Sequence, residues 1–235
     1  MPSKDKTVKT ELPLTKQVEA VLDTLKRLSL KKTRDDMGPR YGIHTDKAFG
    51  VPMAKMLKLS KELGKNHELA LALWQTGWYE ARMVACMIDE PLMVTPSQMD
   101  RWCKDFDNWG ICDTVCFKLF DQVPHAYSKV KQWAPKQEEF IRRGAFALLA
   151  CLALHDKKGD DQAFLKYLPL IEKAANDDRN FVKKGLLWAM RGIGGRSPEL
   201  KAEVLSLAHC LAASESKSGL WLGRNTIREL SKSKK

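Results

Sequence analysis

A chain of 235 residues, 44% hydrophobic and 29% charged, is long enough to bury one large domain or one repeat array, and its composition excludes a disordered polymer. No apolar run approaches the roughly 20 residues that span a bilayer, and the start Met1-Pro2-Ser3-Lys4 lacks the apolar core of a secretory leader. An intracellular protein is therefore expected, cytoplasmic at the nucleoid or nuclear, with no membrane embedding, and its net charge of +11 sets up a field that attracts polyanions, nucleic acid first and an anionic lipid surface second.

Residues 1–11 read as a Lys-rich flexible tail, residues 12–231 as a single domain and residues 232–235 as a basic C-terminal tail. From Thr15, read as an N-cap, Val18, Val21, Leu22, Leu25 and Leu28 recur at helical spacing. Lys31 to Arg34 then open a predicted loop through Gly38, Pro39, Arg40, Tyr41 and Gly42, where Gly and Pro argue against regular helix and Tyr41 fits either a phosphate contact or a packing role. Pro52 starts a helix that Gly64 ends; Asn66 caps the next, closed by Gly77, and a further helix runs over 79–88. Thr95, Pro96 and Gln98 form a capping signature for the helix that carries Met99, Trp102 and Phe106. Later helices are predicted near 124–133, 137–155, 161–175, 179–193, 198–213 and 220–230. No stretch alternates with period two for long enough to be a strand, so the fold is all-α.

The six cysteines, Cys86, Cys103, Cys112, Cys116, Cys151 and Cys210, include no Cys-x-x-Cys pair and fall mostly within apolar helical patterns, which predicts buried reduced thiols. No His or second Cys pair stands at zinc spacing, so neither a metal nor a cofactor is expected.

An internal echo suggests the architecture. Phe140-Ile141-Arg142-Arg143-Gly144-Ala145 is matched by Phe181-Val182-Lys183-Lys184-Gly185-Leu186, 41 residues on. A helix-pair unit of that length is what HEAT-type solenoids stack, with one helix of each pair lining a concave face. The repeated cations at helix starts would then ring a basic groove, to which Arg179, Arg191, Arg196 and Lys201 add charge.

If a helix begins near Trp109, Trp109 and Asp113 lie one turn apart on one face, an indole beside a carboxylate and both attractive to a cation. An aromatic core residue beside a solvated acid would look the same, and Trp188 also fits a core stripe with Phe181 and Ile193. Arg143 is harder to dismiss, because an arginine inside an apolar helix needs a partner, either a buried acid or a phosphate. His155-Asp156 reads as a helix-end cation with a neighbouring acid.

Tyr41-Gly42-Ile43, Phe49-Gly50-Val51-Pro52, Asp107 to Asp113, Arg142-Arg143-Gly144-Ala145-Phe146 and Asn180 to Ala189 together resemble the AlkD-like DNA alkylation repair glycosylases, over about residues 38–230. That resemblance implies a monomeric HEAT-like array that wraps double-stranded DNA and excises cationic alkylated purines such as 3-methyladenine and 7-methylguanine, without a deep base pocket. It further implies Trp109 and Trp188 as aromatic walls at the lesion, Asp113 as the carboxylate between them, Arg143 on the backbone phosphate and Tyr41 along the DNA. Arg142, Lys183 and Lys184 are the accompanying candidate phosphate contacts. Asn108, where better-known members carry a second aromatic, and the Gly110-Ile111-Cys112 spacer depart from the pattern and bear on substrate range. Two rivals stand beside this reading: a non-catalytic scaffold for damaged or branched DNA, and a protein–protein adaptor.

Overall fold

The computed structural model describes residues 12–232; the predicted tails, residues 1–11 and all but Lys232 of residues 232–235, lie outside the described residues. The chain divides between Asp89 and Glu90 into two compact units. Both are built from α-helices, and no strand occurs among the described residues.

The first unit holds α1 (Leu14–Arg27), α2 (Lys31–Tyr41), α3 (Met53–Leu63), α4 (His67–Gln75) and α5 (Tyr79–Ile88). Pro13 rather than Thr15 precedes α1, which buries Val21 and Leu25. The predicted loop over 31–43 is mostly helix α2, with Pro39 inside it. Pro39 sits near the end of the helix, where few ladder bonds are at stake, and Gly42 terminates the turn in the left-handed region at φ 63°. Ile43 then donates its amide back to the Met37 carbonyl at 2.8 Å. Tertiary contacts hold α2 in place: Leu30 donates to the Gly50 carbonyl at 2.9 Å, and a Cβ on Gly50 would meet the Arg34 backbone nitrogen at 2.7 Å. The adjoining strap is held from the other side by buried Glu80, whose carboxylate accepts from the amides of Phe49, Gly50 and Val51 at 2.9, 2.7 and 3.1 Å.

The second unit contains α6 (Pro96–Lys104), α7 (Trp109–Lys118), α8 (Ala126–Trp133), α9 (Glu139–His155), α10 (Asp161–Leu165), α11 (Leu168–Ala174), α12 (Asn180–Gly194), α13 (Pro198–Ala212) and α14 (Lys217–Ser231). The helix predicted over 161–175 is two, because Pro169 in the first turn of α11 has no amide to donate and its ring clashes with the carbonyl a turn back.

Four helices of this unit lie side by side and run the same way. Cys112 and Cys116 of α7 approach the carbonyls of Phe140 and Gly144 of α9, at 3.8 and 3.6 Å. A Cβ on Gly185 of α12 would rest 3.5 Å from the Arg143 carbonyl, and one on Gly192 would meet the Ala150 carbonyl at 3.2 Å. Thr226 of α14 donates to the Met190 sulfur of α12 at 3.4 Å. Each seam advances along both helices together, so the first turns of α7, α9, α12 and α14 are neighbours in that order. The sequence echo is one of these seams: Phe140 and Phe181, equivalent in the two copies, pack with ring centroids 5.3 Å apart.

Candidate active site

The start of α7 is set by Asn108, buried and extended, whose side chain accepts from the Ile111 amide at 3.0 Å. The cap makes Trp109 the first helical residue and puts Asp113 one turn further along the same face. Both are half-buried.

Asp113 is met by Arg143 from the neighbouring turn of α9. Arg143 Nε donates to Asp113 Oδ1 at 2.9 Å and Nη2 donates to Oδ2 at 2.7 Å, a bidentate fork. The third arm, Nη1, donates to the Phe181 carbonyl at the start of α12, at 2.5 Å, and the guanidinium lies 6.0 Å from the Phe181 ring. Arg143 is buried, 5% exposed, and the partner its sequence context demanded is an acid of its own chain. Burial pushes the Asp113 carboxyl above its ordinary range, against the charge and hydrogen bonds of Arg143, which pull it down. Burial also opposes the Arg143 charge, but the field and hydrogen bonds of Asp113 outweigh it and raise the guanidinium pKa.

Trp188 stands on α12 and is half-buried; α9 packs against both helices that carry the two tryptophans. Lys184 is exposed, and Lys183, half-buried, holds its ammonium 5.5 Å over the Trp221 ring of α14. Arg142 is turned into the protein: it donates to Asp177 at 2.7 Å, to the Lys136 carbonyl at 2.7 Å and to the Pro135 carbonyl at 3.4 Å. Any phosphate it took would compete with these three bonds. Arg179 grips Asp177 as well, at 2.9 and 2.5 Å. Burial works against the Asp177 charge, yet the hydrogen bonds from Arg179 and Arg142 hold its pKa down at about 2. Tyr41 ends α2 in the first unit, 43% exposed, with the Arg40 guanidinium 5.3 Å from its ring.

Cys86, Cys103, Cys112, Cys116 and Cys151 are buried free thiols and Cys210 is an exposed one. Burial pushes the thiols of Cys103, Cys116 and Cys151 up, which keeps them protonated packing groups. Two participants escaped the sequence reading. Asp177 holds Arg142 from 35 residues away and Trp221 meets Lys183 from 38 away, and no local pattern marks either contact, although Arg179, two residues from Asp177, is a local partner.

A family model described as DNA alkylation repair enzyme matches residues 21–213. A search of curated proteins returned no match. Among solved structures, the fold is similar to a member of "a new family of proteins related to the HEAT-like repeat DNA glycosylases with affinity for branched DNA structures". The TM-score is 0.75 at 18% identity, over 90% of this chain and 94% of that one. At that identity the likeness concerns the fold, an all-α HEAT-like helical repeat.

Proposed function

This chain belongs to the DNA alkylation repair enzyme family, and on that premise we propose that it is a DNA glycosylase hydrolysing the N-glycosidic bond of cationic alkylated purines, 3-methyladenine and 7-methylguanine, in duplex DNA. The observation that carries the reading is Asp113, a carboxylate one turn from Trp109 and oriented by a two-pronged arginine. An N-alkylated purine already bears positive charge and leaves as a neutral base, so it needs little help from a general acid. The barrier lies in an oxocarbenium-like sugar, which a fixed carboxylate stabilises while orienting the attacking water. Indole faces at Trp109 and Trp188 would each contribute about 0.5–2 kcal/mol toward the cationic base or sugar. In this reading Arg143 acts through Asp113: its fork favours the ionised carboxylate and fixes the plane of the two oxygens. Lys183 and Lys184 serve the phosphates, and the protein works as an intracellular monomer on double-stranded DNA.

The scaffold reading draws on the same fork, since both Asp113 oxygens already accept a hydrogen bond. Measuring free base released from duplex DNA treated with a methylating agent separates the two. Release of 7-methylguanine or 3-methyladenine by the wild type, cut at least a hundredfold in Asp113→Asn, is the expected result, on the order of one lost electrostatic contact to the transition state. Equal release by that variant would remove Asp113 from the mechanism. No release by either, together with tight salt-dependent binding, would make the protein a DNA scaffold, and binding indifferent to salt would make it an adaptor.

A further inference from the structure

We propose that Trp221, with Lys183, forms a second nucleic-acid site, a stacking platform for an unpaired base and its phosphate, three helices along the array from Asp113. This inference rests on the DNA reading above and adds a contact to it.

The placement follows from the parallel seams. Asp113 of α7 pairs with Arg143 of α9, Arg143 reaches Phe181 of α12, and Lys183 of α12 lies 5.5 Å over the Trp221 ring of α14. Trp221 therefore occupies the first turns of the same row. At about 8–10 Å between packed helices, the row from α7 to α14 spans no more than about 30 Å, roughly nine base pairs at about 3.4 Å each.

Core packing does not account for this indole. The buried residues of α14 are Ser218, Gly219, Leu222, Gly223 and Thr226, and Gly223 lets the helix sit so close to α13 that a Cβ there would meet the Ala208 carbonyl at 2.4 Å. Trp221 lies off that face and stays half-exposed. On α14 itself Lys217 and Arg224 are exposed, one turn before it and three residues after it and so on its side of the helix, and the Lys183 ammonium lies 5.5 Å from the ring centroid. The one acid of α14, Glu229, is held by Lys232 at 3.2 Å, with Arg228 and Arg191 at the looser distances of 3.8 and 3.9 Å.

An indole with an ammonium over its face matches a nucleotide in both parts, since the phosphate draws the Lys183 ammonium off the ring and the base stacks in its place. A base inside a duplex shows only its edges. The π-face that stacking needs is offered by an unpaired base, at an overhang, a flap or a fork.

Fluorescence anisotropy would compare a blunt duplex of about 16 base pairs with the same duplex carrying a single-stranded overhang of about four nucleotides. Wild type is expected to prefer the overhang, and Trp221→Ala to lose about tenfold on it while changing less than about twofold on the blunt duplex. Trp221→Phe, which keeps a stacking face, should retain most of the preference. Lys183→Gln should weaken both DNAs and reduce the log–log salt slope by about 0.7–0.9. Equal loss on both DNAs in Trp221→Ala with a native circular dichroism spectrum, or no loss on either, would overturn the platform while leaving duplex binding standing. Wild type that binds neither DNA in a salt-dependent way would overturn the platform and the DNA reading together.

Discussion

Asp113 is a carboxylate under two opposed influences, burial that favours its proton and a guanidinium fork that favours its charge. Replacing Arg143 with Gln leaves the first and removes the second, so the carboxyl pKa rises further above its ordinary 3.8. The proposed base release requires the ionised form, and in the variant the acid limb of its pH–rate profile should therefore move to higher pH. The fold should also lose stability, by about 2–3 kcal/mol, less than a fully buried broken pair because the Asp113 side chain is 20% exposed. If Arg143 served only as a phosphate contact, the variant would bind DNA less tightly with an unmoved pH profile, and that result would return Arg143 to the backbone. At this scale the one-turn spacing of Trp109 and Asp113 and the need of Arg143 for a partner were legible, because helical spacing and the rarity of a buried arginine are local facts. Which acid answered Arg143 was not, since the answer lies 30 residues away on a parallel helix.

Helix-on-helix contact in the second unit depends on glycines that differ in what surrounds them. A Cβ on Gly185 would rest in ordinary contact, 3.5 Å from Arg143 and 3.6 Å from Phe146. A Cβ on Gly223 would stand 2.4 Å from the Ala208 carbonyl and 2.5 Å from the Ala212 amide nitrogen. Gly185→Ala should thus leave urea or thermal stability unchanged or raise it by up to about 1 kcal/mol through helix propensity. Gly223→Ala should lower it by about 1–3 kcal/mol, because backbone has to move; similar shifts for both would show that α14 is not held at this distance. Several element starts were marked in the sequence: the side chains of Asn66 and Thr95 accept the predicted capping bonds, at 2.9 and 3.1 Å, whereas Thr15 lies inside α1 and caps nothing. The region 31–43 was misjudged because Gly38 and Pro39 act as breakers only when nothing packs on the helix, and here Met37 and Ile43 are buried and Gly50 abuts Arg34.

Over the whole molecule, the net charge of +11 draws polyanions from a distance, but each cation counts toward counterion release only if it is free to meet a phosphate. The basic run of α12 and its flanks divides on that test. Arg179 is spent on Asp177 and the Gln137 carbonyl, at 2.6 Å for the latter. Arg196 donates to the carbonyls of Ala153, Asp156 and Gly159 and to Asp161, clamping the turn between α9 and α10. Lys183, Lys184, Arg191 and Lys201 remain, Arg191 with only a loose 3.9 Å contact to Glu229. Four such contacts give a log–log salt slope of about −3.6, and Lys217 and Arg224 of α14 would carry it to about −5.4. Titrating binding from about 50 to 200 mM salt should therefore show Lys184→Gln flattening the slope by about 0.9, with little change in unfolding. Arg196→Gln should do the reverse, leaving the slope within error while lowering thermal stability, because its guanidinium closes a turn. A flattened slope in Arg196→Gln with undiminished stability would mean that this arginine leaves its carbonyls for DNA, and the clamp would then be part of the interface.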